Sequence, residues 1–317
     1  MQQIRLWYNN HRRKIWITVG IIAAVIVVVQ FFNYLVSRTK NKEEANIIAL
    51  PNTKEDLKEI EKETNVSYES GVSVISGETQ SKEKLKTAAE VIGEFFDFCN
   101  EGNIQGAYDL LTDDCKEQIY TSLESFEKAY YQDVFAGEER IYSVENWIGD
   151  IYKVDITENM LATGKSNNGY VKQDYITVEK VDDVYKLNIN NYIGKTQINK
   201  ETDKEDIKVN VLYKNTYMDR EEYTISVTNN KATSISLDRL YDVNSLYLED
   251  SKGMKYPAYT HEMTSPMLEV QSKETKEVTI KFYSRYTSTK KIENLVFSDL
   301  VIWNDQLTST MEFKAEV

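Results

Sequence analysis

The chain has 317 residues, with 38 Lys and Arg against 51 Asp and Glu, a net charge of −13, two cysteines and two histidines. An acidic balance of this size argues against a nucleic-acid partner, and so few Cys and His exclude a His/Cys zinc cluster. There is also no Walker or dinucleotide glycine pattern and no G-x-S-x-G, so the common nucleotide and hydrolase signatures are absent.

Residues 1–14 read as a basic tail, with Arg5, Arg12, Arg13 and Lys14. From Ile15 to Val36 the chain carries no charge, and those 22 residues give about 33 Å of helix, enough for a hydrocarbon core of roughly 30 Å. Trp7, Tyr8 and Trp16 near one end, and Phe31, Phe32 and Tyr34 near the other, match interfacial belts. The expectation is a single transmembrane helix at 15–36 with the N-terminus cytoplasmic and the C-terminal domains extracytoplasmic. Gly20 and Ala24 form a small-xxx-small pair. Residues 1–42 hold seven basic residues and no acid, so the remainder carries 31 basic against 51 acidic residues, a net charge of −20.

Residues 37–80 are charged, rich in Ser and Thr and poorly periodic, as in a flexible tether. Order is expected from Ser81. Leu85, Ala88, Ala89, Ile92, Phe95, Phe96 and Cys99 recur at helical spacing and form one apolar stripe, which Gly102 ends. A short helix follows with Ile104, Ala107, Tyr108 and Leu111 inward. Thr112 reads as the N-cap of a third helix carrying Ile119, Leu123, Phe126 and Tyr130 and ending before Gly137. From Arg140 the period changes to that of strands at 142–147, 151–156, 160–164, 170–180 and 184–191, with turns at SNNG (166–169) and VDD (181–183). A charged linker at 196–206 leads to residues 207–317, whose short alternating runs (Ile207, Val209, Val211; Tyr223, Ile225, Val227; Val278, Ile280, Phe282) predict an all-β sandwich.

FFDFCNEGNIQGAYDLLTDDCKEQ, through Gly102-Asn103, Ala107-Tyr108 and Leu110-Leu111, resembles the helical opening of nuclear transport factor 2-like domains. QDYITVEKVDDVYKLNINNYIG resembles their last hairpin, so the likeness covers residues 81–195. It implies an α+β cone of three helices on a curved antiparallel sheet. LEVQSKETKEVTIKFYS resembles immunoglobulin-like sandwiches of bacterial cell-surface proteins. The layout of tail, span and cone is similar to that of scaffold proteins of conjugation and type IV secretion machines. It implies a membrane-anchored, extracytoplasmic binding or scaffold protein without catalysis or cofactor, whose partners are the membrane, other envelope proteins or a second copy. The alternative is a ligand-binding or sensory protein using the cone pocket.

Enzymes of this superfamily use an Asp/His pair or a carboxylate with tyrosines. His11 and His261 lie outside the cone, which leaves only Asp97, or Asp174 beside Tyr175, as conceivable acids. Both read otherwise as water-facing surface residues. Cys99 and Cys115 bracket the helical reversal. A bridge closing that loop of ~15 residues would contribute about 3 kcal/mol, and the alternative is a small core residue and a partly buried thiol. Tyr241, Tyr247, Tyr256, Tyr259, Met263 and Met267, near Met254, form a candidate partner surface, against the alternative that they simply pack. No residue is assigned to catalysis, a cofactor or a metal. Asp182-Asp183 and the DREE at 219–222 lack calcium-loop spacing and read as solvated turns.

Overall fold

The computed structural model describes residues 81–159, 169–242, 244–303 and 308–317. The expected tail, span and tether, the strand at 160–164 and most of the turn at 166–169 lie outside the described residues.

Helix α1 (Lys82–Asn100) starts where the Ser81 hydroxyl accepts the Lys84 N–H at 3.3 Å. Its apolar stripe is buried from Ala88 to Cys99, with Leu85 packed at the margin. Its end is a glycine reversal. At Gly102 φ is 72°, its N–H donates to the Cys99 carbonyl at 3.2 Å, and the Asn103 N–H donates to the Phe98 carbonyl at 2.8 Å. Helix α2 (Ile104–Asp109) follows, then α3 (Asp113–Gln118), capped by the Thr112 hydroxyl on the Cys115 N–H at 3.0 Å. The expected third helix does not run on. It breaks after Gln118, and α4 (Leu123–Phe126) restarts where Ser122 and Ser125 each accept the other's N–H at 3.1 Å. Thr121-Ser122 prefers a cap to a helix interior because its hydroxyls compete for backbone groups. A π turn (Glu127–Tyr131) and α5 (Gln132–Val134) complete this layer.

Strands β1 (Arg140–Ile148), β2 (Ile151–Glu158), β3 (Tyr170–Val181) and β4 (Val184–Asn188) form an antiparallel sheet in chain order. The Asp182-Asp183 turn takes φ of 48° and 65°, the left-handed pair that a two-residue hairpin needs. Asn190 and Asn191, at 60° and 64°, then swing the chain straight into β5 (Tyr192–Lys204). The segment expected as a linker at 196–206 is therefore strand. It pairs with β6 (Ile207–Tyr217) through a second left-handed turn at Glu205-Asp206.

The sandwich has one sheet in the order β12-β7-β6-β5, with β7 at Glu221–Asn229 and β12 at Thr275–Phe282. Its other sheet runs β10-β9-β13-β8-β11, with β14 also on β13. Those strands are β8 (Ile235–Ser236), β9 (Leu246–Asp250), β10 (Lys255–Pro257), β11 (Glu269–Val270), β13 (Ile292–Ile302) and β14 (Ser309–Glu316). Val209, Ile225 and Ile280 from one sheet pack against Leu248, Leu295, Phe297 and Phe313 from the other.

The expected fold class is thus corrected. Regular structure is mostly strand, in three antiparallel sheets, with short helices, because the third helix is broken and the linker is a strand. The transmembrane and signal-anchor reading is corrected as well: no helix among the described residues is long and apolar enough to cross a membrane, and residues 15–36 lie outside them.

Gln118 braces the helical layer to the sandwich at several points. Gln118 at the end of α3 accepts from Asn215 Nδ2 at 2.7 Å and donates to the Tyr217 hydroxyl and to Glu222 Oε2, both at 3.1 Å. Asn215 in turn accepts from the Tyr192 hydroxyl at 3.0 Å. The Arg220 guanidinium holds Glu222 at 2.8 Å and lies 3.6 Å over the Tyr217 ring.

Candidate functional site

Cys99 and Cys115 are free thiols, both buried in the first core, so of the two alternatives the bridge is the one not formed. Burial pushes the Cys99 thiol far up and the Cys115 thiol up to about 12, and a thiolate nucleophile is disfavoured at both.

Asp174 lies on β3 with its side chain fully buried, contrary to its reading as a surface residue. Its Oδ2 accepts from the Tyr130 hydroxyl at 3.1 Å and the Asn190 N–H at 2.9 Å, and its Oδ1 accepts from the Asn191 N–H at 2.8 Å. Burial raises its pKa, opposed by Lys172 and the two backbone N–H groups. All three donors belong to the protein, and they hold the left-handed turn that leads into β5. Tyr175 does not join it and instead packs 5.3 Å from Trp147. Asp97 is half-buried on α1. Where a cone pocket was expected, rings fill the interior: Phe95 lies 5.9 Å from Tyr130 and 6.3 Å from Phe126, and Phe126 stacks on Tyr130 at 5.7 Å.

The tyrosine and methionine set divides. Tyr247 is buried, the Tyr256 hydroxyl donates to Asp250 Oδ2 at 3.0 Å, and Met263 packs against the sandwich core. Tyr259 stacks 3.7 Å from Tyr283. Tyr241, Met254 and Met267 are exposed.

A cleft of about 970 Å³ opens between the first turns of α1, the ends of β2 to β4, and one face of the sandwich sheet. Its floor is a row of cross-strand neighbours, Gly194 on β5, Thr216 on β6 and Glu221 on β7. Gly194 sits at φ 155°, and a Cβ there would come 3.6 Å from the Asn188 amide. Tyr152 and Thr177 line the wall from the first sheet, and Tyr185 on β4 and Tyr286 after β12 line it too. Thr177 is 8% exposed, and its hydroxyl has no hydrogen-bond partner.

At one end, Glu221 and Lys290 form a buried pair, with side-chain exposures of 3% and 6%. Lys214 reaches Glu221 at 3.1 Å, Lys290 at 3.4 Å, and the Ser284 hydroxyl donates to it at 2.6 Å. Lys290 also donates to Ser284 Oγ and, at 2.9 Å, to the Arg285 carbonyl. Burial lowers the Lys290 pKa, while Glu221 pulls the other way. Three oxygen acceptors take up this ammonium, so it pins the 284–290 segment to β7 instead of presenting a free amine. The remaining cleft lysines are also paired: Lys84 with Asp150 at 2.6 Å, Lys180 with Asp183 at 2.8 Å, and Lys195 with Glu117 at 3.4 Å. Among the described residues no group of three or more His, Cys, Asp or Glu is placed to hold a metal ion.

Sequence reasoning missed this site. Glu221 and Glu222, read as part of a solvated turn, are both buried at the start of β7. The available signal was the Tyr223-Ile225-Val227 alternation, which extends back through them. Compared with family models, curated proteins and solved structures, the chain matches none. Neither the nuclear transport factor 2-like nor the immunoglobulin-like assignment gains support from them.

Proposed function

We propose that the chain is a binding or scaffold protein without catalysis, and that its ligand or partner is held in the cleft between the helical layer and the sandwich. One observation carries this reading: the lysines that line the cleft all sit in ion pairs with the protein's own carboxylates. Such a wall offers a fixed array of donors and acceptors and no activated nucleophile or acid. Saturation-transfer NMR on the full chain against a mixed fragment panel tests it. Hits that disappear in Tyr185→Ala support the cleft, whereas steady chemical conversion of a hit overturns the non-catalytic reading.

The brace at Gln118 favours a second role as a rigid spacer in a larger assembly, of the kind implied by the likeness to conjugation and secretion scaffolds. Analytical ultracentrifugation and crosslinking in the source cell test it, and a protein that stays monomeric and uncrosslinked refutes it.

A further inference from the structure

Resting on the reading of the cleft as a binding site, we infer that its ligand is a neutral, hydroxyl-rich molecule of the oligosaccharide class. Charge is the first ground. Lining lysines number five and lining carboxylates four, so the cleft is close to neutral and gives a polyanion or polycation little net attraction. Its many charged groups equally disfavour an apolar ligand, which would strand them without water. A sugar hydroxyl both donates and accepts, and so it suits a wall that carries both ammonium and carboxylate groups.

The second ground is the floor. Gly194, Thr216 and Glu221 are cross-strand neighbours, so the floor is the face of a sheet, with β5 as its edge strand. A peptide that adds a strand pairs with the backbone of an edge, whereas a ligand seated across these three positions meets the sheet face. The third ground is the rim. Tyr185 on β4 is 38% exposed, and Tyr286 faces the same cleft from the sandwich side. These two tyrosines provide flat apolar surfaces with polar tips, suited to the C–H faces of a pyranose ring.

The test uses the full chain with maltotriose, triacetylchitotriose, a neutral hexapeptide and a dicarboxylate, each titrated by NMR. A trisaccharide is expected to bind, and Tyr185→Ala to weaken it roughly tenfold. Binding of the peptide or the dicarboxylate alone, lost in Tyr185→Ala, overturns the sugar assignment and keeps the cleft. Sugar binding that Tyr185→Ala leaves intact overturns the placement. If none of the four probes binds, both the sugar assignment and the cleft reading fall.

Discussion

Gln118→Ala removes a side chain that joins α3 to three groups of the sandwich sheet. Asn215 is 2% exposed, so its amide would lose a 2.7 Å partner without gaining water. An orphaned buried donor of this kind costs about 1–3 kcal/mol, and each neutral bond lost about 1 kcal/mol. Glu222 keeps Arg220 at 2.8 Å, which limits its share. The Tyr217 hydroxyl, its pKa pushed up to about 12 chiefly by burial, loses a donor. The total is about 3 kcal/mol, which for a unit of this size lowers the melting temperature by roughly 6–12 °C. Urea denaturation followed by circular dichroism and tyrosine fluorescence is the assay. The wild type is expected to unfold in one transition with both probes coincident, and the variant to show them separating as the helical layer detaches first. A loss below about 0.5 kcal/mol with coincident probes would refute the brace, since a change that small is typical of an unconstrained surface site.

Asp174→Asn should cost about 1–2 kcal/mol, because an amide cannot accept from both the Asn190 and Asn191 N–H groups. Its pH dependence has a definite sign. A carboxyl pKa raised on folding means that the folded state holds its proton longer, so wild-type stability declines as pH rises from near 3.8 through the folded value. The gap to Asp174→Asn should narrow over the same range, and parallel stability curves would contradict it. Glu221→Gln leaves Lys290 and Lys214 facing an amide and should cost about 3 kcal/mol, with faster hydrogen exchange around Tyr286. Combining it with Lys290→Met should restore part of that loss; an additive double variant would speak against the pair. Alkylation of the native protein should label neither Cys99 nor Cys115, because both are buried in the first core and burial raises both thiols. Both should label in denaturant, and a linked peptide in mass spectrometry would refute the free-thiol assignment.

What could be read from the sequence was local. The stripe from Leu85 to Cys99, the stop at Gly102 and the cap at Thr112 each depend on residues within one or two turns, and all three stand in the structure. The break after Gln118 was hidden because Ile119, Leu123, Phe126 and Tyr130 keep helical spacing across it, while Ser122 and Ser125 decide the geometry. Strand β5 was hidden for a different reason. An edge strand facing water carries Lys, Glu and Asp along much of its length, which discourages pairing with other chains and also erases the apolar alternation that marks a strand. The cleft had no local signal at all. Asp150, Thr177, Gly194, Glu221 and Tyr286 meet only because three strand pairings and the segment after β12 bring them together.

The passage from β4 to β5 has a kinetic consequence. Asn188 closes one sheet, Tyr192 opens the next, and the residues between them are held on the buried Asp174 carboxylate. No slack chain separates the two walls of the cleft, so there is no hinge about which they can swing. Whatever enters meets a gap already at its final width, and capture then involves no closing step. Stopped-flow traces should accordingly fit one exponential whose rate climbs linearly with ligand concentration and does not level off.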